Sequence, residues 1–295
     1  MNSACPLCNT EANFFFKTKD HNENITDEIF SYWKCLDCGL IFLSNLPKNL
    51  GQYYQDNYYQ IPSLENLSRI ARANEYQIEF ILKYKKPGHL LEIGPSFGTF
   101  SLQAKNAGFE VDAIEMDKRC CEFLSKSVGI NAVNSNCPEQ AIKNMVKHDA
   151  IALWHNIEHL PNPWGFLKEA AENLKPGGVL LIASPNPDSV GFRFLKSKWP
   201  HVDAPRHLTL IPIQLLTKHL KPLGLDLIMM TTKDKGARSW NRFGWQRYLM
   251  NCFSSKIGQM LAFITGWILS FPLALWELRG MNGSAYTVIY QKNIK

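Results

Sequence analysis

The stretch Leu91-Glu92-Ile93-Gly94-Pro95-Ser96-Phe97-Gly98 joins a short apolar run to a turn with two glycines. The apolar run predicts a strand over residues 89–93, and a glycine-bearing turn from a strand into a helix lets the backbone approach a ligand. A second apolar run ends at Glu115, where an acid can hold the two hydroxyls of a ribose. Together these features indicate a site for a nucleoside-type cofactor.

Around this turn, short apolar runs alternate with helical patterns, which predicts parallel strands joined by crossover helices. The predicted strands cover residues 89–93, 110–114, 130–134, 149–154 and 179–184. Before them, residues 64–85 have apolar side chains at helical spacing and are expected to form one amphipathic lead-in helix. Two later apolar runs, 225–232 and 284–291, are candidates for the closing strands.

Several motifs within residues 88–232 resemble those of the class I S-adenosylmethionine-dependent methyltransferases, especially the ubiquinone-biosynthesis-like members. They are the glycine turn, Glu115, the segment His-Asn-Ile-Glu-His-Leu-Pro-Asn-Pro at 155–163, and Leu-Lys-Pro-Gly-Gly at 174–178. The resemblance implies an α/β fold with a Rossmann-like sheet, in which 284–291 is inserted as an antiparallel last strand beside 225–232. It extends loosely to methyltransferases of surface-glycan pathways that pair this domain with a zinc ribbon.

The resemblance also implies which residues surround S-adenosylmethionine. Glu92 would orient waters or backbone near the ammonium group of its methionine moiety, and Glu115 would accept hydrogen bonds from its ribose hydroxyls. The loop and the following strand ends would supply the other contacts, from Gly94, Ser96, Phe97, Gly98, Met116, Cys137, Trp154 and His155.

One residue departs from the family pattern, which usually has glycine where this chain has Ser96. Its Cβ limits how closely the cofactor can approach, so a catalytically altered binding or scaffold protein is one alternative. An NAD-dependent oxidoreductase is another, because the glycine turn and the ribose acid serve both cofactors. A hydrolase nucleophile elbow is disfavoured, since Pro95 restricts the turn and no glycine-rich oxyanion segment lies upstream.

Candidate catalytic residues follow the fourth and fifth predicted strands, at the sheet edge where α/β proteins bind ligands. A general base assists methyl transfer when the acceptor is a hydroxyl. In the loop 199–208 we favour His207 as this base and Arg206 as an anion contact. Glu158 and His159 are further candidates, with packing and capping before the next helix as their alternative role.

Two C-x-x-C pairs, Cys5 with Cys8 and Cys35 with Cys38, supply four thiolates in the spacing of a structural zinc site. Residues 14–17 and 29–34 between them are expected to be the two strands of a zinc ribbon spanning 1–46. A site closed by four sulfurs has no open position for substrate, so we interpret the metal as a structural staple. The ribbon has no basic stripe, which argues against nucleic acid as a partner.

An uncharged run of membrane-spanning length covers residues 257–276. A spanning helix would separate the predicted last strand from its sheet, so we expect an interfacial or re-entrant hairpin within 236–281, with Trp245, Trp267 and Trp276 at headgroup depth. Residues 193–256 contain twelve Lys and Arg against three Asp, a basic block that would attract anionic lipid. The alternative is a lid or a dimer surface.

The 295 residues, 45% of them hydrophobic with a net charge of +6, are typical of a soluble, core-forming protein. Residues 1–19 lack a secretory pattern, which predicts a cytoplasmic protein with peripheral contact at the membrane face. The predicted divisions are the ribbon 1–46, a linker and lead-in helix 47–88, a catalytic domain 89–235, the helical insertion 236–281 and the last strand 282–295. The expected acceptor is a small molecule, a glycan or a lipid-linked compound, methylated on oxygen or carbon, and the sequence leaves the oligomeric state open.

Overall fold

A computed structural model of the protein describes residues 3–47, 49–54 and 59–294. The strands of this part of the chain are β1 (Ser3–Ala4), β2 (Glu11–Thr18), β3 (Phe30–Cys35), β4 (Ile41–Leu43), β5 (His89–Ile93), β6 (Glu110–Glu115), β7 (Asn131–Asn134), β8 (His148–Trp154), β9 (Leu174–Pro185), β10 (Thr209–Leu210), β11 (Leu225–Thr231) and β12 (Ala285–Lys292). The α-helices are α1 (Leu64–Ala73), α2 (Tyr76–Leu82), α3 (Thr99–Asn106), α4 (Lys118–Phe123), α5 (Pro138–Ala141), α6 (Pro163–Asn173), α7 (Val190–Leu195), α8 (Ile213–Leu220), α9 (Lys235–Met250) and α10 (Lys256–Glu277).

A seven-stranded sheet in the order β11-β12-β9-β8-β5-β6-β7 forms the centre of the molecule. The five strands from β9 to β7 run parallel, and β12 lies antiparallel between β9 and β11. The predicted α/β class, the Rossmann-like sheet and its antiparallel last strand are therefore confirmed. Parallel pairing brings the carboxyl ends of β5, β6 and β8 to one edge, where the glycine turn lies.

Side chains alternate along these strands between two buried layers, as the pleat requires. Leu91 and Leu153 face one cluster with α6 and α8, whereas Leu90 and Ala152 face the other with α1 and α3. Both faces of the sheet are thus covered by helices, which explains why its strands are apolar throughout.

The lead-in segment differs from the predicted single helix, because it forms α1 and α2 with a break between them. Asn74 is the C-cap residue of α1, and its side-chain amide donates to the Ile70 carbonyl at 3.0 Å. An asparagine side chain that bonds the backbone in this way competes with helix continuation.

The cysteine-bearing unit forms a second sheet in the order β1-β2-β3-β4-β10. Its last strand belongs to the region after β9, with Thr209 opposite Phe42 and Leu210 opposite Ile41. Residues 3–47 therefore share a sheet with a later part of the chain, so they are not joined to it by a linker alone.

Helices α9 and α10 follow β11 and precede β12 in the chain, and they pack against each other. The pair meets through small residues of α10, where a Cβ on Gly266 would lie 2.7 Å from the Gln246 Cα. Trp245 donates from its indole nitrogen to Glu277 at 2.8 Å, so it ties the two helices together, whereas Trp267 and Trp276 are half exposed. By length and composition, α10 is the one helix in the described ranges that could cross a bilayer.

Candidate active site

The turn after β5 adopts a backbone that most residues disfavour, with φ of +63° at Gly94, +55° at Ser96 and +86° at Gly98. A Cβ at Gly94 would collide with the side-chain amide of Asn156, and one at Gly98 with Leu124. Both glycines are thus required by positive φ and by close packing.

Glu115, at the end of β6, is bonded directly to this turn. One carboxylate oxygen accepts from the Ser96 backbone amide at 2.9 Å and the other from the Asp117 amide at 2.8 Å. Burial raises the pKa of Glu115, and these amide hydrogen bonds act against that rise. The pair of bonds fixes the carboxylate beside the turn with lone pairs left for a ligand.

A cavity of about 540 Å³ opens at this sheet edge. Four buried polar atoms of its lining residues have no hydrogen-bond partner: Ser96 Oγ, Trp154 Nε1, His155 Nδ1 and Asn156 Oδ1. A buried polar atom without a partner costs about 1–3 kcal/mol, so a ligand with donors and acceptors would be favoured here. The volume and the polar atoms fit a nucleoside cofactor with an amino-acid tail.

Seven of the predicted site residues line this cavity: Gly94, Ser96, Glu115, Met116, Trp154, His155 and His159. Four others do not line it but lie within two residues of lining residues along the chain. The Glu92 carboxylate accepts from the Ser101 hydroxyl of α3, and burial raises its pKa to about 8. Phe97 packs in the core, the Gly98 amide donates to the Pro95 carbonyl, and Cys137 precedes α5 as its N-cap residue.

Glu158, His159 and His207 form a cluster at one side of the cavity. Burial raises the pKa of Glu158 to about 8 and lowers that of His159 to about 3. His207 Nδ1 lies 2.9 Å from the His201 carbonyl, which can only accept, so this nitrogen holds the proton. The other nitrogen, Nε2, is then unprotonated and lies 4.0 Å from Glu158 Oε1, an oxygen without a hydrogen-bond partner.

His159 stands between this cluster and the cavity. Its ring centroid is 4.6 Å from that of His207, and its Nδ1 is 3.0 Å from both the Arg206 carbonyl and the Tyr54 hydroxyl. The structure thus brings His159 to the cavity wall and leaves His207, our favoured base, buried against it.

Arg206 lies away from the cavity, and its predicted role as an anion contact needs correction. The guanidinium is fully buried between two carboxylates, 2.7 Å from Asp20 and 2.7 Å from Asp203. Burial alone would raise the pKa of Asp203, but hydrogen bonds from Arg206 and Asn22 and the charge interactions with His207 and Arg206 together outweigh it and lower that pKa to about 2. Both carboxylates saturate the guanidinium, so Arg206 positions the loop and does not meet substrate.

Sequence reasoning missed the part of the site that comes from distant segments. Asn49, Leu50 and Tyr54, within the predicted linker, line the cavity. Trp240 of α9 is stacked between two histidines, with centroid distances of 3.9 Å to His155 and 4.5 Å to His201. An aromatic-rich linker and a tryptophan on an amphipathic helix are weak signals in a sequence, because only tertiary packing directs them to the site.

The four cysteines of the N-terminal sheet meet at one point. Cys5 Sγ is 3.6 Å from Cys38 Sγ, and Cys8 Sγ is 3.5 Å from Cys35 Sγ. All four sulfurs lie within 4.8 Å of one another. A tetrahedral zinc with Zn–S bonds of about 2.3 Å places its sulfurs about 3.8 Å apart, so the donor set fits this metal in type and spacing.

Comparisons with known proteins agree with the fold. A family model of the methyltransferase domain, Methyltransf_23, matches residues 64–230, which is more than half of the chain. The chain is similar to the ubiquinone biosynthesis O-methyltransferase of Xanthomonas axonopodis pv. citri, at 23% identity over 126 residues, covering 40% of this chain and 53% of that protein. The corresponding Proteus mirabilis enzyme is 23% identical over 159 residues, covering 48% of this chain and 64% of its own length.

The matched segments thus span less than two thirds of either relative. Among solved structures, a SAM dependent methyltransferase from Archaeoglobus fulgidus superposes with a TM-score of 0.51 at 17% identity, covering 75% of this chain and 94% of that one. At this identity the likeness shows a shared fold. The chain therefore belongs to the methyltransferase-domain family.

Proposed function

We propose that the protein transfers a methyl group from S-adenosylmethionine to a small-molecule acceptor. The observation that supports this most directly is the cavity, in which the glycine turn, Glu115 and four unpartnered polar atoms meet at the carboxyl ends of β5, β6 and β8. The cofactor supplies an electrophilic methyl group next to a sulfonium. The transfer forms a bond from the acceptor to that carbon, breaks the carbon–sulfur bond and releases S-adenosylhomocysteine.

The protein's part in such a displacement is mainly alignment and exclusion of water. Glu115 would accept hydrogen bonds from the ribose, and Met116 would cover the adenine. Ser96 Oγ and the glycine turn would face the amino-acid tail of the cofactor. Trp154 and His155, after β8, would border the side from which the acceptor approaches.

We assign proton removal from a hydroxyl acceptor to His159, helped by Glu158 and His207 behind it. His159 lines the cavity and is neutral, because burial lowers its pKa to about 3. Burial raises the pKa of Glu158 to about 8, so its carboxyl already holds a proton at neutral pH and can donate it in a hydrogen bond to a neighbouring imidazole, but it cannot take up the proton of the acceptor. That proton would bind the free ring nitrogen of His159 and leave to solvent through the cavity that this residue lines. A hydroxyl acceptor on a small molecule is thus the substrate class that the cluster supports. Methylation on carbon, and a glycan or lipid-linked acceptor, remain alternatives.

We also propose that Cys5, Cys8, Cys35 and Cys38 hold a structural zinc. Backbone amides already point at two of the sulfurs, from Leu7 to Cys5 at 3.5 Å and from Cys38 to Cys35 at 3.4 Å. Such amides stabilise thiolates, and four sulfur ligands close the coordination sphere. The metal would therefore support the fold without meeting the acceptor.

The second candidate function is a binding or scaffold protein that retains the cofactor site without turnover. The positive φ of Ser96, +55°, favours it, because the family usually has glycine at this place. Hydride transfer with NAD is the third candidate, and the match to the methyltransferase domain argues against it.

Calorimetric titration with S-adenosylmethionine, S-adenosylhomocysteine and NAD separates the three candidates. We expect both sulfur nucleosides to bind, Glu115→Ala to weaken them at least tenfold, and NAD not to bind. Transfer of labelled methyl from the cofactor to a phenolic or sugar acceptor supports the enzyme. Binding without transfer to any component of a host extract supports the scaffold, and failure of both nucleosides to bind refutes both functions.

A further inference from the structure

Helix α10 presents to solvent an apolar surface that no described part of the chain covers. Its bulky apolar residues from Ile257 to Trp276, except Leu273, keep between 43% and 71% of their surface exposed. The buried residues of α10 are a stripe of small ones, Ala262, Gly266 and Ser270, and Glu277, which accepts from Trp245 of α9. Soluble monomers rarely expose a continuous apolar patch of this extent, so the surface indicates a partner.

The position of α10 in the chain decides how it can meet that partner. The helix is preceded by α9 and β11 and followed by β12, and β12 pairs on both sides, with β9 and β11. A helix that crossed a bilayer would leave β12 on the opposite side from its sheet partners. The helix must therefore lie along a surface.

A pocket with two arginines adjoins the carboxyl end of α10. It has a volume of about 370 Å³ and is lined by Val190, Arg193, Phe194, Trp276, Arg279 and Asn282. Arg193 donates to the Asn282 side chain at 2.8 Å, and no salt bridge to a carboxylate forms at either guanidinium within the described residues. Phe194 and Trp276 beside them are 66% and 52% exposed.

We propose that α10 and this pocket dock the protein on the surface of a membrane that contains anionic phospholipid. Apolar side chains of α10 enter the boundary of the acyl chains, and Arg193 and Arg279 bind headgroup phosphate, which guanidinium groups bind in a bidentate manner. Trp276, next to Arg279, lies at headgroup depth, where tryptophan is enriched.

Charge favours lipid over a second copy of the chain as the occupant. Three cations adjoin the apolar surface: Arg193 and Arg279 line the pocket, and Lys256 is the first residue of α10. A two-fold dimer through α10 would bring two copies of this basic surface together, whereas an anionic membrane neutralises it. The proposal uses no residue of the cavity, so it stands or fails independently of methyl transfer.

Sedimentation of the full chain with vesicles tests the proposal. We expect the protein to pellet with vesicles of phosphatidylcholine and phosphatidylglycerol, to stay in solution with phosphatidylcholine alone, and to bind less at high salt. The double variant Arg193→Gln and Arg279→Gln should weaken binding about thirtyfold, as expected for two basic residues at the lipid surface. Ile264→Gln with Ile268→Gln should abolish it.

The matched control is Lys86→Gln with Lys168→Gln, which removes the same charge from exposed positions on other elements and should leave binding unchanged. Calorimetry with S-adenosylhomocysteine and size exclusion report whether each variant is folded and monomeric. Three results would overturn the proposal: no pelleting of the wild type, an equal loss in the lysine control, or a wild-type dimer that Ile264→Gln dissociates. Binding of inorganic phosphate without vesicle binding would also refute membrane docking.

Discussion

At the scale of single residues, Ser96 combines a strained backbone with a buried hydroxyl that has no hydrogen-bond partner. Its φ of +55° lies in the left-handed region, which costs a non-glycine residue about 1 kcal/mol. Its hydroxyl is buried without a partner at the cavity wall. A glycine here would remove the strain and the hydroxyl together, so stability and ligand binding respond in opposite directions.

We predict that Ser96→Gly raises the melting temperature by about 2–4 °C, the shift that about 1 kcal/mol gives in a chain of this size. If Ser96 Oγ bonds the cofactor, the same variant binds S-adenosylhomocysteine up to about tenfold more weakly. Thermal scanning and calorimetry measure the two effects. Ser96→Ala serves as the control, because it removes the hydroxyl and keeps the strain. A melting temperature of Ser96→Gly below that of the wild type would contradict the strain argument.

Arg206 is the opposite case, because its guanidinium is paired with carboxylates inside the fold and does not face a ligand. Its side chain is fully buried, and it joins Asp20 of the N-terminal unit to Asp203 of the loop before β10. Removing one partner of a buried ion pair leaves the other charges without compensation, which costs more than the pair contributes.

We expect Arg206→Ala to lower the free energy of unfolding by about 3–5 kcal/mol, because two buried carboxylates lose their cation. Denaturant unfolding followed by circular dichroism measures this change. Arg72→Ala, at an exposed position of α1, is the control and should stay within about 0.5 kcal/mol of the wild type. Equal effects of the two substitutions would show that the ion pairs of Arg206 with Asp20 and Asp203 do not stabilise the fold.

At the scale of elements, the N-terminal sheet supports the loop that contains His207. The Tyr32 hydroxyl of β3 donates to the His207 carbonyl at 2.6 Å, and the Leu43 amide of β4 donates to the Leu208 carbonyl at 2.9 Å. The Leu208 amide in turn donates to the Glu158 carbonyl at 2.7 Å. A chain of backbone contacts thus runs from the cysteine-bearing unit to Glu158.

This arrangement predicts that Cys8→Ser removes the zinc and lowers turnover much more than cofactor affinity. The residues proposed to bind the cofactor belong to the large sheet, whereas the loop with His207 depends on the small one. Metal analysis should return about one zinc per chain for the wild type and none for the variant. Cys252→Ser, an exposed thiol outside the cluster, is the control. Retained zinc, or a loss confined to cofactor affinity, would argue against the ribbon's role.

The elements themselves show what a sequence can predict here. The strand β5 begins and ends at the predicted residues, because an apolar run bounded by Gly88 and Gly94 encodes it locally. Other features depend on contacts between segments more than 50 residues apart. They are the docking of β10 on β4, the stacking of Trp240 on His155 and the position of the linker residues over the cavity. Such contacts leave no periodic pattern, so the glycine turn and the strand ends are predictable from the sequence, whereas the linker residues over the cavity and the stacking of Trp240 are not.

At the scale of the whole molecule, the site contains buried carboxyl groups whose pKa is raised and buried histidines whose pKa is lowered. Burial raises the pKa of Glu92 and Glu158 to about 8, and it lowers the pKa of His155, His159 and His201 to about 3. The folded protein therefore keeps both carboxyls protonated and all three imidazoles neutral at neutral pH. Each group makes stability depend on pH, because its unfolded form titrates normally.

The final prediction concerns the pH dependence of stability. The histidines bind fewer protons folded than unfolded, so their contribution is complete above pH of about 6.5 and is lost as the pH falls toward about 3. Glu158 binds more protons folded, so its contribution is present below pH of about 4.5 and is lost as the pH rises through about 8. The free energy of unfolding of the wild type relative to Glu158→Gln should therefore fall between pH of about 5 and 8 in denaturant titrations. Glu79→Gln, exposed on α2, should show no such trend, and a difference between wild type and Glu158→Gln that is constant over this range would contradict a buried, protonated Glu158.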